Sequence, residues 1–341
     1  MYKGVRTIGL LSLTAGLAAC ESILVTESGG NHNVADFEAA WAWVDSVYPA
    51  FDIKRIDWAS VYSEYRPRAE TAQGDEFYQL LNDMLKLLAD PHLYYSTPGG
   101  ARFYPYTSPR LLNDRHLFSS KVVRTYFQSE LHITGKDGVE YGILDGQIGY
   151  IHITHFNEDG MMDDFHEVMQ FLRTTDGLII DVRSNTGGDH DKVQVVVGMF
   201  IDSAMAWPLA VEQDGVPFEP WPDIQPVPGI PRYTNRVVVL INGASLSSGE
   251  LFPEVMGQLP NVTLVGDTTA GAGCNDREES RGGLILPSGK QIHIPTGCLL
   301  RYDGIPWESI GIAPDIVVEQ PLSDFSRGVD RQLEFAIEMM R

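Results

Sequence analysis

From Gly149 onward the chain repeats one pattern, a run rich in β-branched residues followed by an amphipathic one. "GYIHITHF" leads to "DDFHEVMQFLRT", "GLIIDVRS" to "DKVQVVVGMFI" and "RVVVLING" to "GELFPEVMGQL", with "VTLVGD" closing the series at Asp267. Strands alternating with helices form βα units around a mostly parallel sheet, so the fold class is α/β. The ligand site of such a sheet lies beyond the C-terminal ends of its strands. "WPDIQPVPGIPRY" interrupts the series as a Pro-rich surface loop, "GGLILPSGKQIHIPTG" reads as a hairpin turning at "PSGK", and "GVDRQLEFAIEMM" as a closing helix. With 341 residues, 43% of them hydrophobic, the chain can bury the core this sheet needs.

Ahead of the sheet, "ADFEAAWAWVDSVYPAF", "IDWASVYSEYRPRA" and "DEFYQLLNDMLKLLAD" read as amphipathic helices of an N-terminal helical subdomain over 35–100. The block ends at "ADPHLYYSTPGG", where Pro91 and two glycines break the pattern. Residues 101–144 read as a mixed β connecting segment, too short for an inserted peptide-binding domain of the PDZ type, and 145–341 as the core.

The first residues differ. Lys3 and Arg6 precede the apolar run "IGLLSLTAGLAA", which has the form of a secretory signal and is too short to span a membrane. "LAAC" at its end resembles the lipobox of bacterial lipoproteins. That resemblance implies removal of 1–19, a lipid on Cys20, a tether over 20–34, and anchoring in the cell envelope, with Glu21 favouring the outer membrane facing the periplasm. With Cys20 so used, Cys274 and Cys298 remain in an oxidising compartment, where a disulfide is expected and two buried thiols are the alternative. The formal charge of −21 excludes nucleic acid as a partner, since polyphosphate binding needs a basic footprint.

Two strand ends open into suspicious loops, "DVRSNTGGDH" after Val182 and "NGASLSSGE" after Ile241. In the second, Ser247 and Glu250 have the spacing of a helix capping box. The same spacing sets a serine at a helix N-terminus, where free N–H groups stabilise a developing oxyanion. In the first, Gly187 and Gly188 are either turn glycines or a backbone that approaches a substrate, and Asp181 and Arg183 suit a structural ion pair. Pro253 is tolerable only near a helix start, which places that start near Gly249.

"GLIIDVRSNTGG", "VVVLINGASLSSGELF", "VTLVGDTTAGAG", "LPSGKQIHIPTG" and "DGIPWESIGIAPDIVVE" stand in the order and spacing of the C-terminal processing proteases and the related tricorn core proteases. The resemblance covers about 35–320 and implies a crotonase/Clp-protease-like βα superhelix core. It implies Ser247 as nucleophile, with the amides of Ser248 and of Gly187 or Gly188 as the oxyanion hole. The base lysine of the tail-specific branch falls on Ala272, and only Lys192 or Lys290 would remain to replace it. The tricorn-like branch uses a histidine and a glutamate instead, matched here by His92 in "LADPHLYY" and Glu308 in "DGIPWESIGIAPD". A histidine base oriented by a carboxylate completes a relay. Glu250 is expected to support the turn, and Asp181 and Arg183 to support the site.

The resemblance thus implies a serine peptidase acting on polypeptides, needing no cofactor. A non-catalytic protein with an apolar pocket and an esterase or amidase on small substrates are the alternatives. His152 and His155 face opposite sides of a strand, and no metal-ligand spacing appears. His190 is expected to lie off the site; the aromatics of "RFYPYTSP" and "WPDIQPVPGIPRY" could line a substrate groove, although exposed loop residues are the commoner case. The oligomeric state is not legible.

Overall fold

The computed structural model describes residues 32–96, 100–129, 131–134, 139–157, 161–218, 220–276 and 283–341. The apolar N-terminal run, Cys20 and residues 21–31 lie outside these residues.

A seven-stranded sheet forms the centre. Its strands Ile148–Ile153, Gly177–Asp181, Arg236–Ile241, Val262–Gly266 and Ile316–Val317 lie side by side in chain order, all parallel. Val139–Leu144 and His132–Thr134 extend one edge antiparallel. Because crossovers between parallel strands are right-handed, a sheet that always advances in one direction carries its crossover helices on one face. Residues of Met161–Leu172, His190–Val197 and Ser248–Met256 accordingly share one core with Leu178, Ile180, Val237, Val239 and Ile241. The alternate strand residues Ile179, Val238 and Leu240 point the other way, where Leu333 and Ala336 of the closing helix Arg331–Met340 cover them. Strands buried on both faces explain why these runs are continuously apolar.

The N-terminal helices Asn33–Val47, Trp58–Thr71 and Asp75–Lys86 form where the apolar periodicity places them, although the first stops at Val47 and a separate short helix, Phe51–Lys54, follows it. Asp57 starts the third, its Oδ1 accepting the Ser60 amide at 3.1 Å. Segments from the C-terminal part of the chain pack onto these helices. Leu286, Ile292, Ile294, Cys274 and Cys298 bury their side chains among these helices, not against the sheet. The hairpin of Gly283–Ile285 and Gln291–His293 pairs with Tyr94–Ser96, and Cys274 and Cys298 face each other across paired strands as a disulfide. The connecting segment likewise ends in strands of the central sheet.

Asp181 and Arg183 form the expected ion pair, and it is wholly buried. The guanidinium donates to Asp181 Oδ2 at 2.6 Å, to Asp330 Oδ1 at 2.8 Å and to Gln332 Oε1 at 3.1 Å. Asp330 also caps the closing helix through the Leu333 amide at 3.0 Å, so this cluster locks a strand end to that helix. Arg183→Leu leaves two carboxylates unpaired in the interior and should cost about 3–5 kcal/mol. Urea unfolding checks this, and a loss below about 1 kcal/mol, as at a surface pair, would contradict it.

Candidate active site

The loops after Asp181 and after Ile241 leave neighbouring parallel strands and meet beyond their C-terminal ends. Small polar side chains lace them together. Ser245 Oγ donates to the Val182 carbonyl at 2.8 Å, Asn242 Oδ1 accepts the Ser184 amide at 3.0 Å, and the Leu246 amide donates to the Asn185 carbonyl at 2.9 Å. Ser245 is thereby fully buried and structural.

Ser247 sits at the tip, immediately before the helix Ser248–Met256, which begins one residue earlier than Pro253 suggests. Its backbone has φ 58° and ψ −120°, a conformation that costs a non-glycine residue about 1–3 kcal/mol and persists only where the surroundings impose it. Glu250 is one source of that constraint. It is fully buried, accepting the Ser247 and Ala272 amides on Oε2 at 3.1 and 2.8 Å, and the Thr269 hydroxyl and Gly271 amide on Oε1 at 2.6 and 2.7 Å. It therefore supports the turn as expected and also fastens the loop that carries Ala272. Burial pushes its carboxyl up, against the four donors that favour the anion.

The two glycines are required by close approach. A Cβ on Gly187, at φ +88°, would stand 2.7 Å from Ser247 Cβ, and one on Gly188, at φ +136°, would stand 2.3 Å from Asn157 Oδ1. They are not equivalent as donors. The Gly187 amide is committed to Asn185 Oδ1 at 2.8 Å. Among the described residues the amides of Gly188 and Ser248 have no protein acceptor, while Ser248 Oγ donates to the Gly188 carbonyl.

Ser247 and His92 line one cavity of about 1160 Å³, together with Gly188, Ser248, Ala272 and Trp307. His92 comes from the turn after Asp75–Lys86, which Asp90 shapes by accepting the His92 amide at 2.9 Å and the Tyr48 hydroxyl at 3.0 Å. Burial pushes the imidazole below the ordinary histidine value, Asp90 opposes that shift and the nearby His293 adds to it. Nδ1 of His92 is buried without a partner among the described residues.

Glu308 is not placed as the relay anticipates. Its Oε2 accepts the Gly273 and Cys274 amides at 2.7 and 2.9 Å, and its Oε1 lies 2.6 Å from Lys54 Nζ. Lys54 also donates to the Leu88 and Ala89 carbonyls at 2.8 and 3.0 Å and stands 3.8 Å from Asp90. One buried ammonium thus holds both the turn carrying His92 and the loop carrying Glu308. Burial and the Asp90 charge push the Glu308 carboxyl up to about 8 against the pull of Lys54.

Residues 147–318 match the family model of peptidase family S41, and residues 32–86 that of the tricorn protease C1 domain. The chain belongs to peptidase family S41. It is 28% identical to the tricorn protease of Thermoplasma volcanium over 198 residues, 58% of this chain and 18% of that protein. It is 26% identical to the carboxy-terminal-processing protease of Bartonella bacilliformis over 196 residues, 55% of this chain and 42% of that one. The match thus spans less than half the length of either relative. A crystal structure of a peptidase candidate from Parabacteroides merdae shares the fold with a TM-score of 0.79 at 26% identity, over 90% of this chain and 96% of that one.

In this S41 chain neither Lys192 nor Lys290 lines the cavity, and Lys290 Nζ lies over the Tyr78 ring, 3.5 Å from its centroid. Asp181 and Arg183 also lie off the cavity wall, beneath the closing helix. His190 does line it, against expectation, as do Tyr104, Tyr106 and Trp221 of the two aromatic loops. The proline-rich loop folds back over the start of the helix His190–Val197, bringing Trp221 onto His190 at 4.2 Å. Lys54 has no sequence signal, because its partners lie in distant segments.

Lys54→Met strands two carboxyls in the interior. We expect it to lower stability by about 3–5 kcal/mol near pH 9. The loss should be clearly smaller at pH 6, because the Glu308 carboxyl, raised to about 8 even beside Lys54, is already protonated there and is no longer a bare charge. Urea titrations at the two pH values read the difference, and equal losses would rule the assignment out.

Proposed function

We propose that this chain is a serine peptidase in which Ser247 is the nucleophile and His92 the general base. The observation that carries the reading is Ser247 itself, a strained residue at a helix N-terminus that shares a cavity wall with a half-buried histidine. Ser247 Oγ attacks the peptide carbonyl carbon as His92 takes its proton. The oxyanion lies against the Gly188 and Ser248 amides, each such donor being worth roughly 3–4 kcal/mol in other enzymes. Collapse breaks the C–N bond, His92 gives its proton to the leaving amine, and water repeats the attack on the acyl-enzyme.

Glu308 takes a different part from an imidazole orienter. Through the Cys274 amide and Lys54 it holds the wall and the turn against which His92 is set, so it acts as a positioning residue. The cavity exceeds the roughly 300–1000 Å³ usual for small-ligand pockets, which favours a polypeptide over a small ester.

Lipid attachment at Cys20 and a place in the cell envelope belong to the same proposal. The Cys274–Cys298 disulfide supports export, since disulfides persist in oxidising compartments. Metabolic labelling with a fatty-acid analogue should mark the full chain and not its Cys20→Ser variant.

Unfolded casein should be cleaved by the protein, with Ser247→Ala and His92→Ala each lowering the rate by about 100-fold or more while leaving melting curves unchanged. Activity should rise with pH through a midpoint below 6.5, because the free imidazole is the active form and burial lowers its pKa. Turnover of p-nitrophenyl esters without cleavage of any polypeptide would replace this reading with a small-substrate hydrolase. A midpoint well above 6.5 would remove His92 as the base.

A further inference from the structure

We infer that the wall formed by His190, Trp207 and Trp221 is a binding subsite for a bulky apolar side chain of the substrate, beside the scissile bond. The inference rests on the reading of Ser247 as nucleophile. His190 follows Gly188 by two residues, so their Cα atoms are within about 7 Å and the wall begins next to the proposed oxyanion site.

The three rings come from different segments and lock one another. His190 stacks on Trp221 with centroids 4.2 Å apart and planes 8° from parallel. Trp207 meets them edge-on, 5.9 Å from His190 and 5.4 Å from Trp221. Its Nε1 donates to the Pro222 carbonyl at 3.0 Å, so the polar atom is satisfied and an apolar surface is left toward the cavity. Pro208, Leu209 and Pro220 continue that surface, with Leu209 58% exposed. A rigid apolar wall binds without ordering cost and discriminates by size.

The acidic rim raises the competing possibility of a basic side chain. Asp189, Asp191 and Asp223 line the same cavity but are exposed, where ion pairs contribute little. A cation would also need open ring faces. His190 and Trp221 cover one face of each other, and Trp207 is only 6% exposed. The rim therefore acts mainly against acidic residues.

The test uses internally quenched peptides of one frame in which the residue beside the cleaved bond is Phe, Leu, Ala, Lys or Glu. Wild type should cleave the Phe and Leu peptides with kcat/KM at least about 10-fold above Ala, and Glu worst. Trp221→Ala should bring the Phe-to-Ala ratio down to near one, and Trp221→Phe, which keeps a ring, should retain most of it. A Lys preference, or a Phe-to-Ala ratio unchanged in Trp221→Ala, would overturn the inference. Calorimetry of the Phe and Ala peptides on Ser247→Ala protein, with and without Trp221→Ala, reads the subsite without chemistry. Tighter Phe binding lost with Trp221 supports the subsite even if no peptide is ever cut. Cleavage without discrimination refutes the subsite and leaves the peptidase reading standing.

Discussion

The ammonium of Lys54, closed in between Glu308 and Asp90, is the interaction on which the geometry around the cavity depends. A buried ion pair of this kind contributes little net stability compared with apolar packing, yet removing one partner is expensive. Its value is in the geometry it excludes. Lys54 belongs to the N-terminal helices, its carbonyl partners Leu88 and Ala89 lead into the turn of His92, and Glu308 receives the amides of Gly273 and Cys274 from the far side of the cavity. Slippage between helical block and sheet would leave charges unpaired in the interior, so the two halves of the site stay in register.

The sheet supplies the other half. Parallel neighbours in chain order bring the loops after Asp181 and Ile241 to one edge, and Ser245, Asn242 and the backbone carbonyl of Asn185 bind those loops to each other. Ser247 is then pressed against Gly187, which explains a glycine there without appeal to turn type alone. Glu250 extends the same network to the Ala272 loop. Local capping chemistry and a strained serine are thus one structure, which is why the sequence spacing of Ser247 and Glu250 fits both readings.

What was legible in the sequence is what depends on local periodicity. The βα series, the N-terminal helices and the "PSGK" hairpin follow from patterns of burial that neighbouring residues share. Ser247 and His92 meeting at one cavity was legible only through several motifs held in register, since no local rule joins a helix-ending turn to a strand-end loop. The partner of Glu308 was not legible, because Lys54 sits in a short helix whose own residues explain it without a charge partner. The wall of His190 and Trp221 was missed for a related reason: an aromatic in a Pro-rich loop reads as exposed until the loop is seen to fold back on a helix start. Across 144/145 strand pairing, not composition, joins the neighbouring segments, since Val139–Leu144 pairs with Ile148–Ile153.

The central claim is that Ser247 is an activated nucleophile, and its reaction with a fluorophosphonate, mapped by peptide mass spectrometry, tests that claim most directly. The account predicts one phosphonyl adduct on Ser247 in the folded protein, forming about 100-fold more slowly in His92→Ala, where the base is gone. An adduct on Ser245 or Ser248 instead, or none in the folded protein, would contradict it.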